Sequence, residues 1–319
     1  MRVLRWGRSA YETDDDLALE RQGAAALGAV FDVAPDARTA PSLEGVDALV
    51  VTSKCRVDAD VIARFGGTLV LTTTSGWDHI DVAAATAHGV EVGRCPLARR
   101  DAVVEHALTA LLALSRQLPR LHDRARRGHW ARADLPDLAP RALTDGPVLV
   151  VGQGVIGRAM NVALRALGVE VWACDPAGVG AGVRRVSLDE ALPHAVAVTL
   201  HCALSPTSHG LMSAERIAAM APDAVLVNTA RGDVLDLSAA VEAVAAGRLR
   251  GLCCDVFPQE PYPSLSESAS IPGVWLTPHA SGYTRGLGRR VADGVVAGLS
   301  AWAEGREQPY AVGGSEGGA

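Results

Sequence analysis

The hexapeptide Gly152-Gln153-Gly154-Val155-Ile156-Gly157 directly follows an apolar run at 148–151 and opens a helical pattern at 157–167. Alone, G-x-G-x-x-G is a weak signal. Between a strand and a helix it has a mechanical meaning. The first glycine permits a tight turn. The second lets the backbone approach a pyrophosphate, and the third lets helix and strand pack closely. The helix N-terminus adds N–H donors and positive dipole. The next apolar run, 169–173, leads to Asp175, which lies 175 − 157 = 18 residues past the last glycine. A carboxylate there accepts hydrogen bonds from adenosine ribose hydroxyls and repels a 2′-phosphate, so NAD is favoured over NADP. Arg184 and Arg185 follow a glycine-rich loop and would only soften that exclusion.

The rest of the chain repeats the same alternation. Short apolar runs at 2–6, 29–33, 48–52 and 68–73 read as buried parallel strands. Segments 14–27 and 59–65 carry apolar residues at helical spacing between them. A long helix is expected over 102–118, ended by Pro119. An arginine-rich stretch follows, from Arg116 to Arg141, and reads first as a solvated surface arm with Trp130 as its packing anchor. Anion binding is the second reading of that arm. Beyond the glycine loop, runs at 196–201, 224–228, 251–256 and 275–277 extend the strand series, and 287–304 reads as a final helix. Alternation of this kind implies doubly wound parallel sheets. The tail VGGSEGGA is expected to be disordered.

At 319 residues, two domains are expected. With 49% hydrophobic and 21% charged residues the chain has ample material for packed cores, which excludes a disordered protein. A net charge of -6 argues against nucleic acid or an anionic membrane as the main partner. No apolar run reaches membrane-spanning length. The opening MRVLRWGRSAYETDDD turns acidic at once, unlike a secretory leader. Cys55, Cys95, Cys174, Cys202, Cys253 and Cys254 form no C-x-x-C pair and no zinc-spaced cluster. They read as reduced, mostly buried thiols of a cytoplasmic protein, and no metal site is expected.

Three later strand ends carry polar residues that a plain core does not need. They are Asn228-Thr229-Ala230-Arg231-Gly232-Asp233, Asp255-Val256-Phe257-Pro258-Gln259-Glu260-Pro261 and Thr277-Pro278-His279-Ala280-Ser281-Gly282. In an open α/β sheet, ligands sit outside the carboxyl ends of strands. Arginine presents a bidentate fork to a carboxylate. Histidine exchanges protons near neutral pH, and a neighbouring carboxylate orients it.

The order G-x-G-x-x-G, acidic residue, N-T-A-R-G, D-V-F-x-x-E-P and T-P-H resembles the NAD-dependent D-2-hydroxyacid dehydrogenases, the phosphoglycerate dehydrogenase-like family. Ser75-Gly76-Trp77-Asp78-His79-Ile80-Asp81 is similar to that family's glycine loop, and Val103-Val104-Glu105-His106 to the start of its long helix. The resemblance runs from about residue 48 to 284. It implies an α/β fold of two doubly wound parallel-sheet domains, with a Rossmann NAD-binding domain at 99–282 inserted into a flavodoxin-like substrate-binding domain at 1–98 and 283–319. It implies hydride transfer between NAD(H) and a 2-keto or D-2-hydroxy acid. Arg231 would bind the substrate carboxylate and carbonyl. His279 would be the acid/base and Glu260 its partner. Gly152, Gly154, Val155, Ile156, Gly157, Asp175, His201, Thr229, Ala230 and Asp255 would line the cofactor together with Arg231 and His279. Lys54, Ser75, Gly76 and Trp77 would meet the substrate, and Glu105 and His106 would support the site from behind. Hinges are expected near 96–101 and 281–284, and a homodimer through the long helix and the arginine-rich arm.

Departures from the pattern bear on the substrate. His79 replaces a usual asparagine, and Ala203 a usual proline. Trp77 is bulky beside the glycine loop. Lys54, the only lysine, follows a strand. Two rival readings stand beside the dehydrogenase. One is a relative acting on a phosphonate-bearing or sugar-derived keto acid. The other is a non-enzymatic NAD-sensing binding protein on the same fold.

Overall fold

The computed structural model describes residues 1–312. The glycine-rich tail from Gly313 onward, expected to be disordered, lies outside the described residues. The chain divides into two compact units, residues 1–99 with 283–319 and residues 100–282. It passes from one to the other at Arg99–Arg100 and at Gly282–Tyr283.

The first unit holds five parallel strands: β1 (Arg2–Trp6), β2 (Val30–Ala34), β3 (Ala48–Val51), β4 (Leu69–Thr72) and β5 (Glu91–Arg94), in spatial order β2-β1-β3-β4-β5. β3 and β4 are buried at every position, as central strands covered on both faces require. Helix Asp14–Ala26 packs on helix Leu287–Ala303, where a Cβ on Gly23 would lie 2.4 Å from Val296. Thr13 and Asp16 close a capping box at the start of the first of these helices. β5 escapes the strand pattern in the sequence because Glu91, Gly93 and Arg94 interrupt it on a sheet edge.

The second unit holds β6 (Val148–Val151), β7 (Val171–Cys174), β8 (Arg184–Arg185), β9 (Ala197–Leu200), β10 (Val225–Asn228), β11 (Gly251–Cys254) and β12 (Val274–Leu276). Their order is β12-β11-β10-β9-β6-β7-β8, all parallel. The order reverses at β6, so the crevice beside the glycine loop is the switch point of the sheet.

Two expectations need correction. The long helix does not run from 102 to 118. It spans Leu97–Ser115, and Gln117 then turns left-handed at φ 56°. Pro119 does not end it but sits in the first turn of a new helix, Leu118–Arg126, where a missing N–H costs nothing. Trp130 is no packing anchor, since it is 85% exposed. All six cysteines are free, four of them buried. Burial pushes the Cys95 and Cys254 thiols up to about 12, so they are inert at neutral pH.

An ionic cluster lies inside the first unit. Arg5, fully buried, meets the Glu12 carboxylate at 2.6 Å and that of Glu20 at 3.1 Å. Burial outweighs the attraction of Arg5, and Glu12 adds repulsion, so the Glu20 pKa is raised to about 7. The folded chain therefore holds a proton that the unfolded chain releases near the usual carboxylate pKa. Stability from Glu20 is complete below about pH 4.5 and declines as pH rises through about 7. Wild-type thermal stability should thus drop between pH 5 and 8 by an amount on the order of 1–3 kcal/mol. Glu20→Gln should flatten that slope. Parallel melting curves against pH for the two proteins would refute the assignment.

Candidate active site

The glycine loop leaves the carboxyl end of β6 and enters helix Val155–Ala166. Gly152 has φ 93°. A Cβ on Gly157 would stand 1.9 Å from the Gly152 carbonyl oxygen, whereas one on Gly154 would meet nothing within 4 Å. The third glycine is thus demanded by packing. The second faces open space of the kind a pyrophosphate needs. Asp175 follows β7 directly. One of its carboxylate oxygens accepts from the Gln153 amide at 2.6 Å, and the other from the Ala177 amide at 2.7 Å. Val155 and Ile156 form the first helical residues.

Sequence reasoning overlooked the support under this loop. Gln153 is buried, donates to the Gly152 carbonyl at 3.1 Å and accepts from Asn161 at 2.6 Å. Arg158, exposed on the first helical turn, donates to the Gln153 carbonyl at 2.8 Å and brings positive charge to the loop. An arginine just past the third glycine was the available signal. Arg184 lies over Trp172 at 4.6 Å, and Arg185 reaches the Pro176 carbonyl at 3.5 Å, near Asp175.

Three further loops leave adjacent strands. The registers Asn228↔Cys254 and Cys254↔Leu276 set the ends of β10, β11 and β12 side by side. Asn228, fully buried, donates to the Arg231 carbonyl at 2.9 Å and accepts from the Ala230 amide at 3.0 Å, which shapes the Thr229-Ala230-Arg231 turn. A Cβ on Gly232 would fall 2.0 Å from the Phe257 backbone, so only glycine lets the first two loops touch. His201, after β9, meets Thr199 at 2.9 Å and Thr229 at 3.4 Å. Burial lowers its pKa to about 4, leaving a neutral imidazole at physiological pH.

Asp255 is fully buried, with one oxygen accepting from Thr277 Oγ1 at 2.5 Å and the Ala280 amide at 2.8 Å. The other accepts from the Ser281 amide at 2.9 Å. His106 reaches Thr277 at 3.3 Å. This network holds the loop in which His279 adopts φ 52°. His279 Nδ1 lies 2.9 and 3.1 Å from the two Glu260 oxygens, and the Phe257 amide donates to Glu260 at 3.1 Å. Arg231 Nη1 donates to the Ala230 carbonyl at 2.7 Å. The predicted Glu260–His279 pair is therefore in contact, and Arg231 is set on the neighbouring strand end.

In the first unit, Ser75, Gly76 and Trp77 lie on the loop after β4, and Lys54 is exposed on the turn after β3. His79 Nε2 lies 3.1 Å from buried Thr72, and Thr74 donates to the Gly76 carbonyl at 2.8 Å. Arg94, at the end of β5, was not anticipated. It lies over Trp77 at 4.9 Å and donates to the Ser75 carbonyl at 3.4 Å. No group of side chains among the described residues could hold a metal ion, and no helix among them is long and apolar enough to cross a membrane.

A Rossmann sheet with a glycine loop at its switch point, and an Arg–Glu–His set on adjoining strand ends, defines the class of nicotinamide-dependent oxidoreductases. Comparison with known proteins narrows it. Residues 108–281 match the profile of the D-isomer specific 2-hydroxyacid dehydrogenase, NAD binding domain. The chain is 31% identical over 276 residues to the glyoxylate reductase of Thermofilum pendens, covering 83% of this chain and 81% of that one. It is 34% identical over 244 residues to D-3-phosphoglycerate dehydrogenase of Mycobacterium bovis, covering 75% of this chain and 46% of that one. The chain thus spans about half the length of the mycobacterial relatives it matches. The crystal structure of TT0316 protein from Thermus thermophilus is similar at a TM-score of 0.79 and 31% identity, covering 98% of this chain and all of that one. The chain belongs to the D-isomer specific 2-hydroxyacid dehydrogenase family, and its second unit is the family's NAD-binding domain.

The two glycines make a clean contrast. Gly154→Ala should leave the melting temperature nearly unchanged but weaken NADH binding at least about tenfold, because its methyl occupies the pyrophosphate's approach. Gly157→Ala should lower both. Undiminished NADH affinity in Gly154→Ala, measured by fluorescence titration, would place the dinucleotide elsewhere.

Proposed function

We propose that this chain is an NAD-dependent oxidoreductase that interconverts a 2-keto acid and a D-2-hydroxy acid. The observation that carries the reading is the His279–Glu260 pair at 2.9 Å beside the Arg231 strand end. NADH supplies the hydride delivered to the substrate's C2. Arg231 binds the substrate carboxylate through two parallel N–H donors and polarises the carbonyl. Glu260 accepts the Nδ1 proton of His279 and so aims Nε2 at the carbonyl oxygen. His279 gives its Nε2 proton to that oxygen as negative charge develops there, and takes it back in oxidation. His201 stays neutral beside the cofactor's expected position. Asp255, expected as a structural or cofactor-side residue, turns both oxygens to the His279 loop, so its proposed part is to position that loop.

Lys54, Trp77 and the amides around Ser75 and Gly76 are the first unit's proposed substrate contacts. The family covers phosphoglycerate and glyoxylate chemistry among its named members, and the particular keto acid belongs to the test. A homodimer through the long helix and the arginine-rich arm is part of the same proposal, supported on the arm by the exposure of Trp130 at its middle. Cytoplasmic residence is supported by the six free thiols.

A keto-acid panel with NADH tests the activity. His279→Ala should lose about 100- to 10,000-fold in turnover, the usual worth of a positioned acid/base, with NADH binding retained. Arg231→Lys should chiefly raise the KM for the keto acid, because it keeps the charge but loses the fork. Unchanged turnover in His279→Ala would remove the His279–Glu260 pair from the chemistry, and an unchanged KM in Arg231→Lys would remove Arg231 from substrate binding. NADH binding with no turnover on any keto acid would favour the NAD-sensing reading.

Cofactor choice is separable. The Asp175 carboxylate at the end of β7 should make kcat/KM for NADH exceed that for NADPH by a wide margin, and Asp175→Ala should narrow the gap. Equal use of both cofactors by the unaltered protein would contradict the assignment, with Arg185 as the compensating cation.

A further inference from the structure

The second unit contains a cavity of about 660 Å³ that the proposed chemistry does not use. It opens at the amino edge of β10 and β11, the opposite end of the sheet from the glycine loop, between the turns that precede these strands and the two ends of the arginine-rich arm. Arg120, Arg248 and Arg250 line it, against Asp137 and Asp223, which leaves a net charge of 3 − 2 = +1. Leu138, Met220 and Leu249 give it apolar walls.

Arg250 is only 4% exposed. Its guanidinium is paired with Asp223 and donates to the Leu138 carbonyl at 3.3 Å, yet its Nε has no partner. Arg120 donates to the Pro272 carbonyl at 3.0 Å, and its Nε is likewise buried without a partner. A buried charged donor left unmade is costly. Burial of Arg120 and repulsion from Arg250 hold the Arg120 pKa below the usual arginine range, so the two cations stand close in a site of reduced solvation.

Backbone conformation marks the same place. Among the described residues, four non-glycine residues have positive φ. One is His279. The other three, Gln117 at 56°, Ala139 at 41° and Asp223 at 66°, all line this cavity. Gln117 and Ala139 take this form as helix-end residues, whereas Asp223 holds it in the turn before β10, at a cost on the order of 1 kcal/mol.

We propose that this cavity binds a small organic anion, a phosphate or carboxylate whose charge is held by Arg120, Arg248 and Arg250 and whose apolar body packs on Leu138, Met220 and Leu249. The site lies at the amino edge of the sheet, so its occupant does not compete with the dinucleotide. The arginine-rich arm supplies one wall, which absorbs the anion-binding reading of that segment.

Calorimetric titration tests this with phenyl phosphate, citrate and inorganic phosphate at constant ionic strength, on protein saturated with NAD so that the glycine loop is filled. Phenyl phosphate or citrate should bind at one site per chain, and more tightly than inorganic phosphate. Arg120→Gln and Arg248→Gln, neither of which removes a member of the Arg250–Asp223 pair, should each weaken binding about tenfold, with NAD affinity retained. No saturable heat from any probe up to roughly 10 mM overturns the proposal, since that bounds any affinity below the useful range. So does binding that is unchanged in both variants, or inorganic phosphate binding as tightly as phenyl phosphate. If Arg120→Gln instead shifts a sedimentation equilibrium and no probe binds, the cavity is an interface between copies and the proposal falls.

Discussion

The carboxylate of Asp255 carries more of the site than any group that faces a ligand. A fully buried carboxylate is expensive unless its lone pairs are taken, and here two backbone amides and a hydroxyl take them. All three donors belong to one short loop. In satisfying its own charge, Asp255 folds that loop into the form in which His279 accepts a left-handed backbone and meets Glu260. His106 extends the chain of contacts to the long helix through Thr277. His279 is thus positioned from behind by electrostatics rather than by packing.

The glycine loop is organised by the same economy. Asp175 has two oxygens, and both accept backbone amides, from Gln153 and Ala177. A residue that sequence logic assigns to ribose recognition therefore also stiffens the glycine loop. Gln153 and Asn161 complete the support beneath it. At both places a carboxylate at a strand end orders the adjacent loop through backbone amides.

Much of the fold was legible because buried parallel strands are continuous apolar runs and most loops here are short. β1, β3, β4 and β6 lie within a residue or so of where hydropathy puts them. Legibility failed where tertiary context overrides the local pattern. β5 is an edge strand with an interrupted pattern, and β8 is two exposed arginines that pair only because β7 is beside them. The long helix breaks two residues before Pro119 because Gln117 turns left-handed, a choice no helix propensity encodes. Trp130 looks like core by composition and stands in solvent.

For the site, residue types in order pointed to Arg231, Glu260 and His279 as candidates, and the structure puts His279 in contact with Glu260 and sets Arg231 on the neighbouring strand end. The sequence alone also determined the need for glycine at 152 and 157, since no other residue reconciles a sharp turn with close helix–strand packing. Only the tertiary structure decided that Asp255 turns inward to the His279 loop, that Gly232 is demanded by contact with Phe257, and that Arg94 lies over Trp77. It alone brought Arg120, Arg248 and Arg250 to one cavity. These are relations between segments up to about 130 residues apart, and hydropathy and spacing report on neighbours along the chain, whereas a carboxylate finds its donors, and a cation its counter-charge, through space.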